Sequence, residues 1–436
     1  MELVNFRNLD RSLGQSATDW DSLNFRLFEK HPMLDSRFID PLLKYFGDGS
    51  ETLLVIESGG IISGMSILRS RGLGLWTTFL PSQAQVGPVL IREFESACDG
   101  VLKLPGYPIQ IDFLCLDLDW QLSNICWKKN INIVDHALTI NISLNGDFSS
   151  YWEGRSKNLV HNIARYSRRL ERDGVERKFI CLTNPDDVAK AVQRYALLES
   201  SGWKGKAGTA LELGDEQTEF YAEIMSQFSK AGEAMVFELW IDNQLAASRL
   251  VISNDRMLII LKTTYNEKFK QYAPSRLLLF ELIQFAFLNK PGGTIEFYTD
   301  ANSDQVSWAT GYRWIKHITF FRNELVGQFV EVGDNIRRSF TGSGVVEKES
   351  EFRVDVYSNP DQFTPEVIGF IQDVNCENVE GSVVWYKNII RTVFSEDREG
   401  GFCVLIKSGA PVAFLPIRII RDSKGLVVES LTNFYS

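Results

Sequence analysis

The sequence predicts an α/β (α+β) fold assembled from repeated units, each a helix followed by strand, tight turn and strand. Three patterns of strand, tight turn and strand carry that reading. They are residues 52–57 and 61–70 around Ser58-Gly59-Gly60, 235–241 and 245–252 around Asp242-Asn243-Gln244, and 402–407 and 411–420 around Ser408-Gly409-Ala410. Helical spacing precedes each of them, and this recurrence along one chain implies internal duplication. At 436 residues the chain exceeds what one hydrophobic core usually supports, so about two or three domains are expected.

In chain order, Phe38, Ile39, Leu42, Leu43 and Phe46 recur at helical spacing after a break at His31-Pro32-Met33-Leu34. The first hairpin follows, then short strands near 110–116 and 131–134, and a domain boundary is expected at residue 137. A strand over 138–143 leads through Asn145-Gly146-Asp147 into a helix over 151–173, with Leu159, Ile163, Tyr166 and Leu170 on one face and Gly174 as its stop. Its other faces carry Arg155, Lys157, Arg165, Arg168, Arg169 and Arg172, a cationic surface in a chain of net charge −10.

Residues 201–211 hold three glycines around Trp203, Lys204 and Lys206 and read as a loop. A large aromatic and mobile cations there suit a site that closes over an anionic or polar ligand. Past the second hairpin, 257–265 is a third strand and 277–288 is apolar nearly all round, a buried helix stopped by Pro291-Gly292-Gly293. Residues 295–298 return as a strand, and a last strand-like run lies at 426–431.

An apolar share of 44% and a charged share of 23% are those of a globular protein. No stretch approaches the ~20 apolar residues of a membrane span, and the start lacks the pattern of a signal peptide, so a cytoplasmic location is expected. The six cysteines form no C-x-x-C pair and there are four histidines, so no structural zinc site is expected. The acidic balance argues against general nucleic-acid binding.

In this order, the basic helix, the loop Gly202-Trp203-Lys204-Gly205-Lys206-Ala207-Gly208-Thr209-Ala210-Leu211, the strand triplet and the buried helix resemble the GNAT acyltransferase superfamily. More narrowly they resemble its FemAB-like branch, which includes acetyltransferases of cellulose and exopolysaccharide synthesis. His31-Pro32-Met33-Leu34 is similar to the H-P-F-L of that branch's N-terminal half. The resemblance implies tandem GNAT-like folds, mixed, mostly antiparallel sheets flanked by helices: a degenerate unit over 1–137, an acyltransferase domain over 138–335 and a partial third unit over 345–436.

It also implies an acyl-CoA donor, acetyl-CoA or longer, lying between two parted strands, with its pyrophosphate at the turn Gln271-Tyr272-Ala273-Pro274-Ser275-Arg276. Neither glycine of the superfamily's Q-x-x-G-x-G/A pattern is present, and Arg276 is the expected substitute phosphate partner. The branch's Tyr-Lys pair is replaced by Asp304-Gln305, within the run from Glu296 to Trp308.

Acyl transfer to an amine needs a proton acceptor, donors for the carbonyl oxygen and an acid for the thiolate. Glu296 and Asp300 are the expected bases, and Tyr265 or Tyr298 the expected donor to the thiolate. Trp203, Lys204, Arg165 and Arg168 are expected to hold substrate. The expected acceptor is a small amine such as an amino sugar or amino acid. The alternatives are a GNAT-derived binding module without chemistry and FemAB-type transfer from aminoacyl-tRNA.

Overall fold

The computed structural model describes residues 2–72, 74–91, 94, 102, 107–118, 130–200, 215–322, 352–357, 359–374, 382–392, 400–407, 410–422 and 425–430. The chain divides into two compact units, Met1–Gly327 and Gln328–Ser436.

The first unit opens with β1 (Glu2–Asn8), α1 (Ala17–Phe28) and α2 (Ser36–Phe46), and α2 begins where the Asp35 side chain accepts from the Arg37 N–H. The strands β2 (Thr52–Ser58), β3 (Ile61–Gly72), β4 (Leu75–Thr78), the short β5 (Val89–Leu90) and β6 (Gln110–Asp117) follow. Next comes β7 (Ile131–Ser143), then α3 (Phe148–Glu153) and α4 (Lys157–Arg172). The expected single helix is thus broken at Gly154 to Ser156, where the Ser156 hydroxyl caps α4 by accepting from the Leu159 N–H.

The order then repeats. The strand β8 (Arg177–Leu182) is followed by α5 (Pro185–Ser200), α6 (Glu216–Ser229), β9 (Ala234–Ile241), β10 (Gln244–Ser253) and β11 (Met257–Tyr265). The buried helix α7 (Pro274–Asn289) crosses to β12 (Thr294–Glu296), and α8 (Ser303–Val306) and β13 (Gly311–Phe321) close the unit.

Among the described residues, these thirteen strands form one sheet in the order β1-β2-β3-β4-β6-β13-β7-β12-β11-β10-β9-β8, with β5 paired to β3. That order is a palindrome. Read from either end, three antiparallel pairings are followed by one parallel pairing, β4 with β6 or β11 with β12, and then by antiparallel pairings to the centre. At the centre β13 of the second half lies against β6 of the first, and β7 of the first half lies against β12 of the second. Each half lends the other a strand.

The boundary expected at residue 137 therefore falls inside β7, which runs unbroken over thirteen residues and pairs with β13 from Ile131 to Asn141. Asp135 lies opposite Lys316 in that ladder, and His136 falls where the register shifts. The sheet buries both faces. Leu250, Ile252, Ile259 and Leu261 pack toward α1, α2, α5 and α6, whereas Val251, Leu258 and Ile260 pack toward α4 and α7.

The second unit carries β14 (Phe352–Tyr357), α9 (Pro365–Val374), α10 (Val383–Thr392), β15 (Gly400–Lys407), β16 (Ala410–Asp422) and β17 (Gly425–Ser430). Its strands pair consecutively and antiparallel around Phe363, Val367, Tyr386 and Phe402. This is the same strand, two helices and three strands that open each half of the first unit.

Cutting the chain at residue 137 removes half of β7 and leaves β13 without β6. A fragment of residues 138–327 is expected to lack the cooperative thermal transition that residues 1–327 show by circular dichroism.

Candidate active site

The parallel pairings are short. β11 and β12 share three rungs, Met257 with Thr294, Leu258 with Ile295 and Ile259 with Glu296, after which β11 continues to Tyr265 while its neighbour turns away. The strands part there, leaving a cleft of about 440 Å³. Its walls include Ile260 to Thr263 on one side, Phe297 and Thr299 on the other, and Ser275 and Arg276 at the start of α7. Ser82 and Gln85 of the first half complete it.

The first half parts in the same way after Leu75, Trp76 and Thr77 pair with Gln110, Ile111 and Asp112, but that gap is filled. Thr78 bridges it, its hydroxyl donating to the Asp112 carbonyl and accepting from the Leu114 N–H. The chain then returns so that the Gly87 N–H donates to the Cys115 carbonyl at 2.9 Å. A Cβ at Gly87 would lie 2.1 Å from the Leu114 carbonyl oxygen, so only glycine permits this approach.

At the mouth of the open cleft, Ala273 holds a left-handed conformation (φ 49°) and Pro274 starts α7. Pro274 has no N–H, and the amides of Arg276 and Leu277 donate back to the Ala273 carbonyl. Fewer backbone donors than a glycine-rich turn offers therefore face outward, and cationic side chains stand in for them. The Arg276 guanidinium lines the cleft and pairs with Asp304 at 2.5 Å. Gln271 is exposed, and its carbonyl accepts from Arg169 at 2.7 Å, which ties α4 to the turn. Arg165 and Arg168 are exposed on α4, and Tyr166 between them accepts from Arg276 at 3.4 Å. Trp203 and Lys204 lie outside the described residues.

The expected bases are elsewhere. Phe297 and Thr299 line the cleft, and Glu296 and Tyr298 do not; β12 ends at Glu296 and the backbone at Tyr298 is left-handed (φ 46°). Glu296 is 1% exposed and accepts from the Arg313 guanidinium at 2.8 Å. The same guanidinium donates to both oxygens of Asp117, which also accepts from the Tyr298 hydroxyl at 3.0 Å, and that hydroxyl lies 2.8 Å from His31 Nε2. Burial pushes the Glu296 carboxyl up to about 7 and drives His31 down to about 4. Asp300 is exposed and accepts the Leu138 N–H at 3.3 Å, and Tyr265, half-buried at the end of β11, packs beside the core around α4 and α7. Neither lines the cleft.

Sequence reasoning missed Arg249 and Tyr221, which line the cleft, and Lys262 beside them. The available signal was a single cation inside each apolar strand run, Ala246 to Ile252 and Met257 to Leu261 followed by Lys262. It also missed a cluster from three adjacent strands, Cys115, His136 and His317, whose ligand atoms lie within 4.8 Å of one another. There His317 Nδ1 accepts from the Cys115 N–H and the two imidazoles stack at 4.1 Å, an arrangement that sets their lone pairs side by side.

An open cleft between parted strands, beside a helix start, defines an acyltransferase fold of the GNAT kind. Residues 157–303 match the family model described as an acetyltransferase (GNAT) domain. The matched residues lie within the first unit, from α4 to the start of α8, and include both strands that line the cleft. Solved structures of similar fold include FemX, at 8% identity over 75% of this chain and 100% of that one, with a TM-score of 0.49. A tandem GNAT protein from the clavulanic acid biosynthesis pathway has 12% identity over 72% and 98%, with a TM-score of 0.36. L-PGS from Bacillus licheniformis has 11% identity over 67% and 91%, with a TM-score of 0.37. No curated protein matches the chain. No helix among the described residues is long and apolar enough to cross a membrane.

The buried groups set opposing pH slopes. His31, with its native pKa below 6.5, costs stability as pH falls from about 6.5 to 4, because only the unfolded chain takes up the proton. Glu296, with its native pKa raised to about 7, contributes stability at low pH that is lost as pH rises from about 4.5 to 7. Each slope is about 1.4 kcal/mol per pH unit, so they nearly cancel in the native protein between about pH 4.5 and 6.5. Urea denaturation of Glu296→Gln is expected to show stability falling toward acid, and that of His31→Gln stability falling toward neutrality.

Proposed function

We propose that the protein is an acyl-CoA-dependent N-acyltransferase of FemAB-like type, acting on a small amine such as an amino sugar or amino acid. The observation that carries this reading is the gap after the third rung between β11 and β12, beside the start of α7. The donor supplies an activated thioester. Ser275 and Arg276 would hold its phosphates, with Arg165 and Arg168 flanking the mouth. A thioester arm would lie along β11 past its last rung with β12 at Ile259.

Asp304 is the one carboxylate among the residues lining the cleft, so the proton-accepting role expected of Glu296 and Asp300 passes to it. The first half, its own gap filled, serves as support and as part of the cleft wall. Residues 345–436 are a third, partial copy.

The exposed arginines of α4 beside the mouth favour aminoacyl-tRNA as a second donor class, since a row of cations suits a nucleic-acid backbone. Donors are distinguished by salt: tRNA binding would fall steeply with added chloride.

Millimolar acetyl-CoA is expected to raise the melting temperature, and Arg276→Ala to weaken its apparent Kd about tenfold, measured by calorimetry. Absence of any shift in the intact chain removes the acyl-CoA reading. Asp304→Asn is expected to lower the turnover of acetyl-CoA with a responsive amine by about 10²-fold at unchanged melting temperature, followed by thiol release.

A further inference from the structure

Arg249 occupies β10, a strand whose neighbours from Ala246 to Ile252 are apolar or small, and it is only 7% exposed. Its Nε has no hydrogen-bond partner, and its Nη2 makes two long contacts, 3.3 Å each, to the carbonyl and hydroxyl oxygens of Ser275. Among the described residues no carboxylate pairs with it. Arg313, also buried, is treated differently, with Asp117 and Glu296 as partners, and even the partly exposed Arg194 has Glu238 at 2.9 Å. Burying a guanidinium without a counter-charge is costly, so a fold that keeps one has a use for it.

The residue lines the open cleft. At the mouth Arg276 is already neutralised by Asp304, so the uncompensated charge lies inside. Nε and Nη2 together form the edge that a carboxylate takes side-on with two parallel hydrogen bonds, and this is the edge left vacant or weakly used. One guanidinium balances one negative charge, which fits a carboxylate; a pyrophosphate, doubly charged, belongs with the solvated arginines outside. Burial lowers the Arg249 pKa to about 10, in keeping with a cation that lacks an anion.

We propose that Arg249 forms an anion subsite inside the cleft that holds a carboxylate carried by the reacting molecules. This rests on the acyl-transfer reading of the same cleft and narrows it: the carboxylate belongs either to a dicarboxylic acyl chain or to an amino-acid acceptor. The wall across from Arg249 includes the uncharged Ser82 and Gln85 of the first half, so this substrate end is enclosed by both halves.

The test compares the intact chain with Arg249→Met in three measurements. Without ligand, removing an unpaired buried charge is expected to raise the melting temperature; a fall would assign Arg249 a structural role and overturn the proposal. Sodium succinate at millimolar concentration is expected to raise the melting temperature of the native protein and not that of the variant. An equal effect of sodium phosphate in both proteins, with none specific to succinate, overturns it.

The third measurement assigns the source. About tenfold tighter binding of succinyl-CoA than of acetyl-CoA, collapsing in the variant, places the carboxylate on the acyl chain. Faster thiol release from acetyl-CoA with free amino acids than with their amides, again lost in the variant, places it on the acceptor. Neither preference in the native protein overturns the proposal. Failure of acetyl-CoA to bind while succinate still shifts the native protein alone removes the donor reading and leaves the subsite standing.

Discussion

One guanidinium between two carboxylates holds the first unit together. Arg313 stands on a strand of the second half that has been lent to the first; Asp117 belongs to the first half and Glu296 to the second. Removing Arg313 would leave two carboxylates buried without their counter-charge, a penalty larger than the net gain from forming the pairs. Only the pairing that sets β13 between β6 and β7 brings all three together, so the network selects the register of the strand exchange. Tyr298 and His31 extend it to the link between α1 and α2, so the open cleft rests on a floor braced from the opposite half.

The two halves are alike in order but not in use. Both part after three parallel rungs, because a short parallel pairing at the sheet's middle is what the repeated topology produces. In the second half, among the described residues, the start of α7 and the end of β11 line an open cleft. In the first, the segment from Phe79 to Leu90 turns back, places Gly87 against the Leu114 and Cys115 carbonyls, and adds β5 to β3.

Local chemistry made much of this legible. Hairpins announced by glycine or Asp-Asn turns, the apolar helix α7 and the amphipathic α4 all follow from spacing and propensity. Long-range pairing did not. The boundary expected at residue 137 falls inside β7 because nothing local tells of the two strands that flank it, and the edge strand β8 with α5 carries no strong turn signal. Glu296 was assigned to the cleft from its strand alone, but the strand ends there, and the left-handed backbone at Tyr298, between the lining residues Phe297 and Thr299, has no local signal. Arg249 was visible as a cation in an apolar run, but its lack of a partner is a fact of three dimensions.

The stitched gap of the first half has a consequence for how the pair diverged. The same backbone excursion that seals it carries Ser82 and Gln85 to the rim of its sibling's opening. Closing one pocket thereby furnished the other with a lid edge, so mutations that retired one copy could also retune what the surviving copy admits.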